Sequence, residues 1–199
     1  MGRIIYFETL ASTHTYAREQ HEIIQEDTLI QAGMQTNGFG RRGTPWKSVF
    51  GNFHGTFIFK DASVAPLNSS ELAFVFAVSI GQYLQVLNFH NYAFKWPNDI
   101  VIEDAATGNI KKLGGIMIEN MSDDLLLSIG LNIADAPHNI EPYPSICLQT
   151  LSPCAAHTFC PGKLFGVLKD DLERYKKAGF LYYDEKWQKK CVHMYKEVC

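Results

Sequence analysis

The chain has 199 residues, 46% of them hydrophobic and 20% charged, with a formal net charge of −3. That length suits one domain burying about 70% of its unfolded surface, so a core forms without disulfide or metal staples. The composition excludes a disordered chain, and the charge excludes a whole-chain basic footprint for nucleic acid.

Residues 4–7 are an apolar run of β-formers and predict a strand. Ser12 or Thr13 then caps a helix reaching about residue 25. Residues 28–35 return to strand. Residues 36–51 carry Gly38, Gly40, Gly43, Pro45 and Gly51, a density that no regular element tolerates, so they form a long, functional loop. Residues 52–60 form a strand. Asn68-Ser69-Ser70-Glu71 reads as a capping box, followed by Leu72, Val75, Phe76, Ile80, Leu84 and Leu87 at the spacing of a buried central helix. Residues 93–95 and 100–103 are strands around Trp96-Pro97-Asn98-Asp99, and 104–109 form a turn. Residues 112–119 and 125–132 pair as a hairpin. Residues 134–161 are irregular, and 163–178 and 182–190 are helical. The order predicts an α+β fold, a central mixed sheet flanked by helices. Phe53, Phe57, Phe59, Phe74 and Phe76 belong to its core.

Five cysteines form no Cys-x-x-Cys pair, which reads as reduced thiols in a cytoplasmic protein rather than a disulfide framework or reactive nucleophiles. The N-terminus turns polar at once, without a signal-peptide core. The apolar stretch 72–87 is shorter than the ~20 residues of a membrane span and contains Gln82 and Gln85. The histidines are scattered without metal-ligand spacing, so no metal site is expected.

Five short motifs carry chemistry. In Gly38-Phe39-Gly40-Arg41-Arg42-Gly43-Thr44-Pro45-Trp46, glycines let backbone approach a ligand, arginines offer forked donors for carboxylate or phosphate, and Trp46 offers a stacking face. An ordinary solvated basic loop is the bland alternative. No Gly-x4-Gly-Lys-Ser/Thr string occurs, which weighs against a P-loop ATPase. In Lys95-Trp96-Pro97-Asn98-Asp99, a lysine ends an apolar strand and points into a cleft; a snorkelling lysine beside a core tryptophan is the alternative. Lys112-Leu113-Gly114-Gly115-Ile116-Met117-Ile118-Glu119 places paired glycines inside a strand, where they weaken it unless something approaches the backbone. Gly130-Leu131-Asn132 ends a strand with a side-chain amide able to read a polar ligand, or with a plain turn residue. Ser12-Thr13 caps a helix and leaves hydroxyls able to touch a ligand.

In this order and spacing the motifs resemble those of the biotin–protein ligases, from about residue 5 to 133 and more loosely to 190; Lys95 through Asp99 is the most specific piece. The resemblance implies a catalytic fold like that of class II aminoacyl-tRNA synthetases in residues 1–190, with 191–199 a short tail. It implies an ATP-dependent enzyme that converts biotin to biotinyl-5′-AMP, with magnesium on the ATP phosphates. Biotin then passes to one lysine of a carboxyl carrier protein of acetyl-CoA or propionyl-CoA carboxylase. The catalytic residues it implies are Arg41 and Lys95, with Lys95 bridging the biotin carboxylate and the α-phosphate. Ser12, Thr13 and Gln35 bind the ureido ring, Gly38 and Phe39 line it, and Gly115 lets the bicycle lie against the sheet. Arg41, Arg42, Lys95, Trp46 and Asn132 face the nucleotide. The loop is expected to close over ligand and exclude water.

His14 stands where the family's motif has asparagine, and Phe39 and Thr44 stand where it has arginines. Neither an N-terminal DNA-binding domain nor the family's C-terminal β-barrel is expected, so no nucleic-acid partner is implied, and a homodimer partner is the alternative source of a nucleotide cap. A lipoate or octanoyl transferase and a biotin-binding module without turnover are the competing readings.

Overall fold

A computed structural model describes residues 2–62, 69–104, 106–138 and 144–192. Its centre is a seven-stranded sheet in the order β1-β2-β3-β7-β6-β5-β4, the mixed sheet expected of the α+β class. β1 (Arg3–Leu10) and β2 (Thr28–Gln35) run parallel, joined by α1 (Thr13–Gln20). β3 (Phe53–Phe59), β4 (Ala93–Lys95), β5 (Asp99–Glu103), β6 (Ile110–Met121) and β7 (Asp124–Leu131) pair antiparallel with their neighbours, and so do β2 and β3.

Period-two alternation divides the two faces. Leu125, Leu127, Ile129 and Leu131 of β7, with Phe53, Phe57 and Phe59 of β3, join the main core under α2 (Ser69–Val86), α5 (Pro161–Ala178) and α6 (Leu181–Lys190). Leu126 and Ile58 turn the other way, toward Ala17 and Ile24. α2 is the buried central helix, with Leu72, Val75, Phe76, Ile80 and Leu84 at most 1% exposed. Phe74 is only half-buried, because it lies on the flank of α2 and packs edge-on against Trp187. Asn68, the expected cap of α2, lies outside the described residues.

Two expectations change. The first helix stops at Gln20: the amides of Ile23 and Ile24 both turn back to the Gln20 carbonyl, which sends His21 inward to Asp124 and Ile24 into the small core. The stretch expected to be irregular contains two short helices, α3 (Leu148–Leu151) and α4 (Pro153–Thr158), the latter capped by Ser152 and opened by Pro153. Cys147, Cys154, Cys160 and Cys191 are free thiols; Cys199 and His193 lie outside the described residues, as does most of the expected tail. No helix among the described residues is long and apolar enough to cross a membrane.

α1 has only eight residues, so it covers one end of its sheet face. The far end, over Gly130, is left to Trp46 of the 36–51 loop, and the space between them is the site.

Candidate functional site

Loop and sheet enclose a cavity of about 330 Å³, at the small end of the range for ligand pockets. The loop is not open coil. The Gly40 amide donates to the Thr44 carbonyl and the Trp46 amide to the Gly38 carbonyl, at 2.8 and 2.9 Å, which pinches Phe39 against Pro45. The tip turns through Arg42 at φ 56° and Gly43 at φ 74°. Glycine enters that region freely, whereas arginine is strained there. The turn leaves Arg41, and not Arg42, lining the cavity. Trp46 lies flat on the sheet: a Cβ on Gly130 would stand 2.5 Å from the indole, so only glycine admits that approach.

One end of the cavity is neutral and rich in hydrogen bonds. Ser12 caps α1, its Oγ accepting from the Thr15 amide at 3.3 Å. The Thr13 amide donates to Gln35 Oε1 at 2.8 Å, and the Gln35 NH₂ group has no hydrogen-bond acceptor among the described residues, a donor pair left for a ligand. Thr13, Thr56 and Ser128 hydroxyls follow one another at 3.0 and 2.8 Å. His14 contacts Ser128 at 2.9 Å through Nδ1 and Glu119 at 2.7 Å through Nε2. Burial holds the His14 pKa below the ordinary histidine value, against the opposing pull of Glu119.

The other end is cationic. Lys112 stands there, and Arg41 and Lys47 line the same cavity. Lys112 Nζ lies 2.8 Å from Asp99 Oδ1 and 5.5 Å from the centre of the Trp46 ring. Lys112 reaches the cavity because of a register shift opposite Ile100/Val101, where Ile100 pairs with Gly114 but Val101 with Lys112. Such an irregularity re-aims side chains beside a site. It turns Leu113 to the main core and puts Lys112 and Gly115 on the cavity side, where the Lys112 ammonium would lie 3.4 Å from a Cβ on Gly115. Asn132 secures the irregular stretch: its amide nitrogen donates to the Lys112 carbonyl at 3.3 Å, while its backbone amide donates to the Leu113 carbonyl at 2.8 Å. Asn52 supports it in turn, its side-chain oxygen accepting from the amides of residues 133, 134 and 135.

The structure therefore brings together Ser12, Thr13, Gln35, Phe39, Arg41, Trp46, Gly115 and Asn132. Arg42, Gly38 and Lys95 do not line the cavity. Gly38 lies behind Gln35, where a Cβ would stand 2.9 Å from Nε2. Lys95 sits on the edge strand β4, opposite Asp99 in the ladder. What its motif delivers to the cavity is Asn98 and Asp99. The Asn98 side chain and backbone exchange hydrogen bonds with Ile116 at 2.8 and 3.0 Å, which clamps the turn to β6 and aims Asp99 at Lys112. Sequence reasoning quoted Lys112 without giving it a role, and passed over Thr56, Ser128 and Asn52. The glycine pair beside Lys112 was the available signal.

The mixed sheet and the cavity beneath the 36–51 loop define a ligase-family fold, and comparison with known proteins agrees on that fold. The biotin/lipoate A/B protein ligase family matches residues 6–133, and the chain belongs to that family. A biotin–[acetyl-CoA-carboxylase] ligase of Paracoccus denitrificans is 32% identical over 133 residues, 63% of this chain and 52% of that protein. The bifunctional ligase/repressor BirA of Escherichia coli is 25% identical over 195 residues, 94% of this chain, which spans 59% of that protein's length. A biotin protein ligase of Aquifex aeolicus, solved in complex with biotin and ATP, superposes with a TM-score of 0.78 at 22% identity, covering 96% of this chain and 79% of that one. The Leishmania major enzyme in complex with biotinyl-5-AMP gives 0.71 at 22% identity, with 95% and 81% covered.

Proposed function

We propose that this protein is an ATP-dependent biotin–protein ligase. The observation that carries the reading is a single cavity joining a neutral hydrogen-bonding end to a cationic end. A ureido ring offers one carbonyl acceptor and two N–H donors, which the Ser12, Thr13 and Gln35 end can match. The valeryl chain would run along Gly115, and the carboxylate would meet Lys112. A lipoyl head offers no comparable hydrogen-bonding groups, so the polar end favours biotin.

In the first step a biotin carboxylate oxygen attacks the α-phosphorus of ATP and pyrophosphate leaves. The barrier is repulsion between two anions, and a unit charge pair at ~4 Å is worth about 4 kcal/mol at an effective dielectric near 20. Lys112 and Arg41 would screen that charge, Asp99 holds Lys112 in place, and Trp46 offers the adenine a stacking face. Lys112 thus takes the bridging role that the sequence resemblance implied for Lys95. Among the described residues Asp99, held by Lys112, is the one carboxylate lining the cavity, so magnesium would arrive with the nucleotide phosphates as part of the substrate. In the second step the neutral amine of a carrier lysine attacks the acyl carbon and AMP leaves. A cationic, partly dry site favours that neutral amine. The expected acceptor is a biotin carboxyl carrier domain of acetyl-CoA or propionyl-CoA carboxylase, and the expected location is the cytoplasm.

The test is mass spectrometry of a carrier fragment after incubation with protein, ATP and either biotin or lipoate. Addition of one biotinyl group, dependent on ATP, is expected. Lipoylation would select the other branch of the family, and no modification alongside retained biotin binding would leave a binding module.

A further inference from the structure

We propose that Lys47 is a further catalytic residue of the first step, a cation at the mouth of the cavity that receives the leaving pyrophosphate. The proposal rests on the biotin reading above. Among the described residues, Arg41, Lys47 and Lys112 are the cations lining the cavity and Asp99 is the one carboxylate. Lys112 and Asp99 hold each other at 2.8 Å. None of the ion pairs among the described residues involves Lys47, so its charge is free to meet a ligand.

The two lysines stand at different depths. Lys112 projects from β6 with its side chain 23% exposed, whereas Lys47 belongs to the loop and is exposed. Trp46, the residue before it, extends the antiparallel pairing of Phe39 with Pro45. Its ring lies 5.5 Å from the Lys112 ammonium and turns onto the sheet at Gly130. Neighbouring residues of extended backbone face opposite ways. Lys47 therefore stands on the outward side, close to the Lys112 end, while still lining the cavity.

In-line displacement decides what that outward side receives. The biotin carboxylate comes from within, along Gly115 toward Lys112. Its oxygen forms a bond to the α-phosphorus as the bond from that phosphorus to the bridging oxygen breaks. The electron pair leaves on pyrophosphate, and no proton moves. Attacking and leaving oxygens lie roughly in line across the phosphorus, so the leaving group points away from the carboxylate and out toward the mouth. Charge grows on pyrophosphate as the bond breaks, and a cation aimed at that charge speeds the step. The flexible lysine stem lets the ammonium follow the departing group. Phe39 and Thr44 stand where the resembled motif has arginines, and Lys47 supplies a cation that the loop would otherwise lack. Biotinyl-5′-AMP has lost the β- and γ-phosphates, so Lys47 has no part in the second step.

Two half-reactions of the full chain test this. The first is biotin-dependent release of pyrophosphate from ATP, read as kcat and KM. The second is single-turnover transfer from supplied biotinyl-5′-AMP to a carrier fragment. Lys47→Met and Lys47→Gln are expected to lower kcat/KM for ATP at least about tenfold and to change transfer by less than about twofold, while Lys47→Arg recovers most of the first. Calorimetric titration with pyrophosphate and magnesium needs no biotin, and its Kd is expected to rise about tenfold in Lys47→Met. Unchanged pyrophosphate release, equal losses in both half-reactions, or the same pyrophosphate affinity in variant and wild type would each overturn the proposal. If the wild type releases no pyrophosphate with biotin, the functional reading falls instead, and the pyrophosphate titration still decides whether Lys47 holds that anion.

Discussion

Replacing Lys112 by methionine keeps the length of the stem and removes the charge. In the cavity that charge would face a carboxylate and a phosphate, each at most about 4 kcal/mol at ~4 Å and an effective dielectric near 20. Asp99, 2.8 Å away, already neutralises part of it, so the net loss should be about 2–4 kcal/mol in the activation step. At 1.36 kcal/mol per tenfold this is a slowing of about thirty- to a thousandfold. The assay is biotin-dependent release of pyrophosphate from ATP, read as kcat and KM separately. Lys112→Met also strips Asp99 of its ammonium, so thermal unfolding must accompany the kinetics, and Lys112→Arg, which keeps a cation, should recover part of the rate. Lys95→Met provides the contrast, because Lys95 lies outside the cavity; its loss should be at least tenfold smaller. A folded Lys112→Met variant with wild-type kinetics, beside a disabled Lys95→Met, would refute the placement of the charge and restore Lys95 as the bridging group.

Gly130→Ala should lift Trp46 off the sheet, since the new methyl would stand 2.5 Å from the indole; we expect KM for ATP to rise at least tenfold with biotin affinity little changed, as measured by separate ligand titrations. Gly114→Ala should cost stability instead, about 1–3 kcal/mol by denaturant unfolding, because its methyl would meet Leu131 at 2.4 Å and the Gly130 carbonyl at 2.6 Å. His54 is 1% exposed, and burial pushes its pKa down to about 4, with the nearby Ala32 backbone only partly opposing the shift. Its folded pKa thus lies below the unfolded value, so the stability it contributes is present above pH ~6.5 and is lost as pH falls toward 4, by up to about 1.4 kcal/mol per pH unit and about 3 kcal/mol in all. His54→Gln should flatten that part of the stability–pH curve, and an unchanged curve would show that another group sets it.

Most elements were legible before any coordinates, for local reasons. The residue 28–35 strand stands where the sequence placed it, and the apolar spacing of 72–87 specified α2 because helical period and burial coincide there. The glycines of residues 38–43 announced a close approach of backbone to something else. Less legible were elements whose shape depends on distant partners. α1 ends early because Ile24 and His21 are drawn inward, and α3 and α4 are too short for periodicity to detect.

The composition of the cavity was largely written in the motifs: hydroxyls and an amide at one end, cations and an indole at the other. Which lysine faces the cavity was not. Lys95 and Lys112 both stand in short motifs beside residues that break regular structure, and local pattern treats them alike. The pairing of β5 with β6 separates them. A single shift in register opposite Ile100/Val101 places Lys112 and Gly115 on one face, whereas strict alternation would put them on opposite faces. The same ladder leaves Lys95 on the edge strand and turns Asp99 toward Lys112. Register is a relation between strands far apart in the chain, so it was decided only when the sheet assembled.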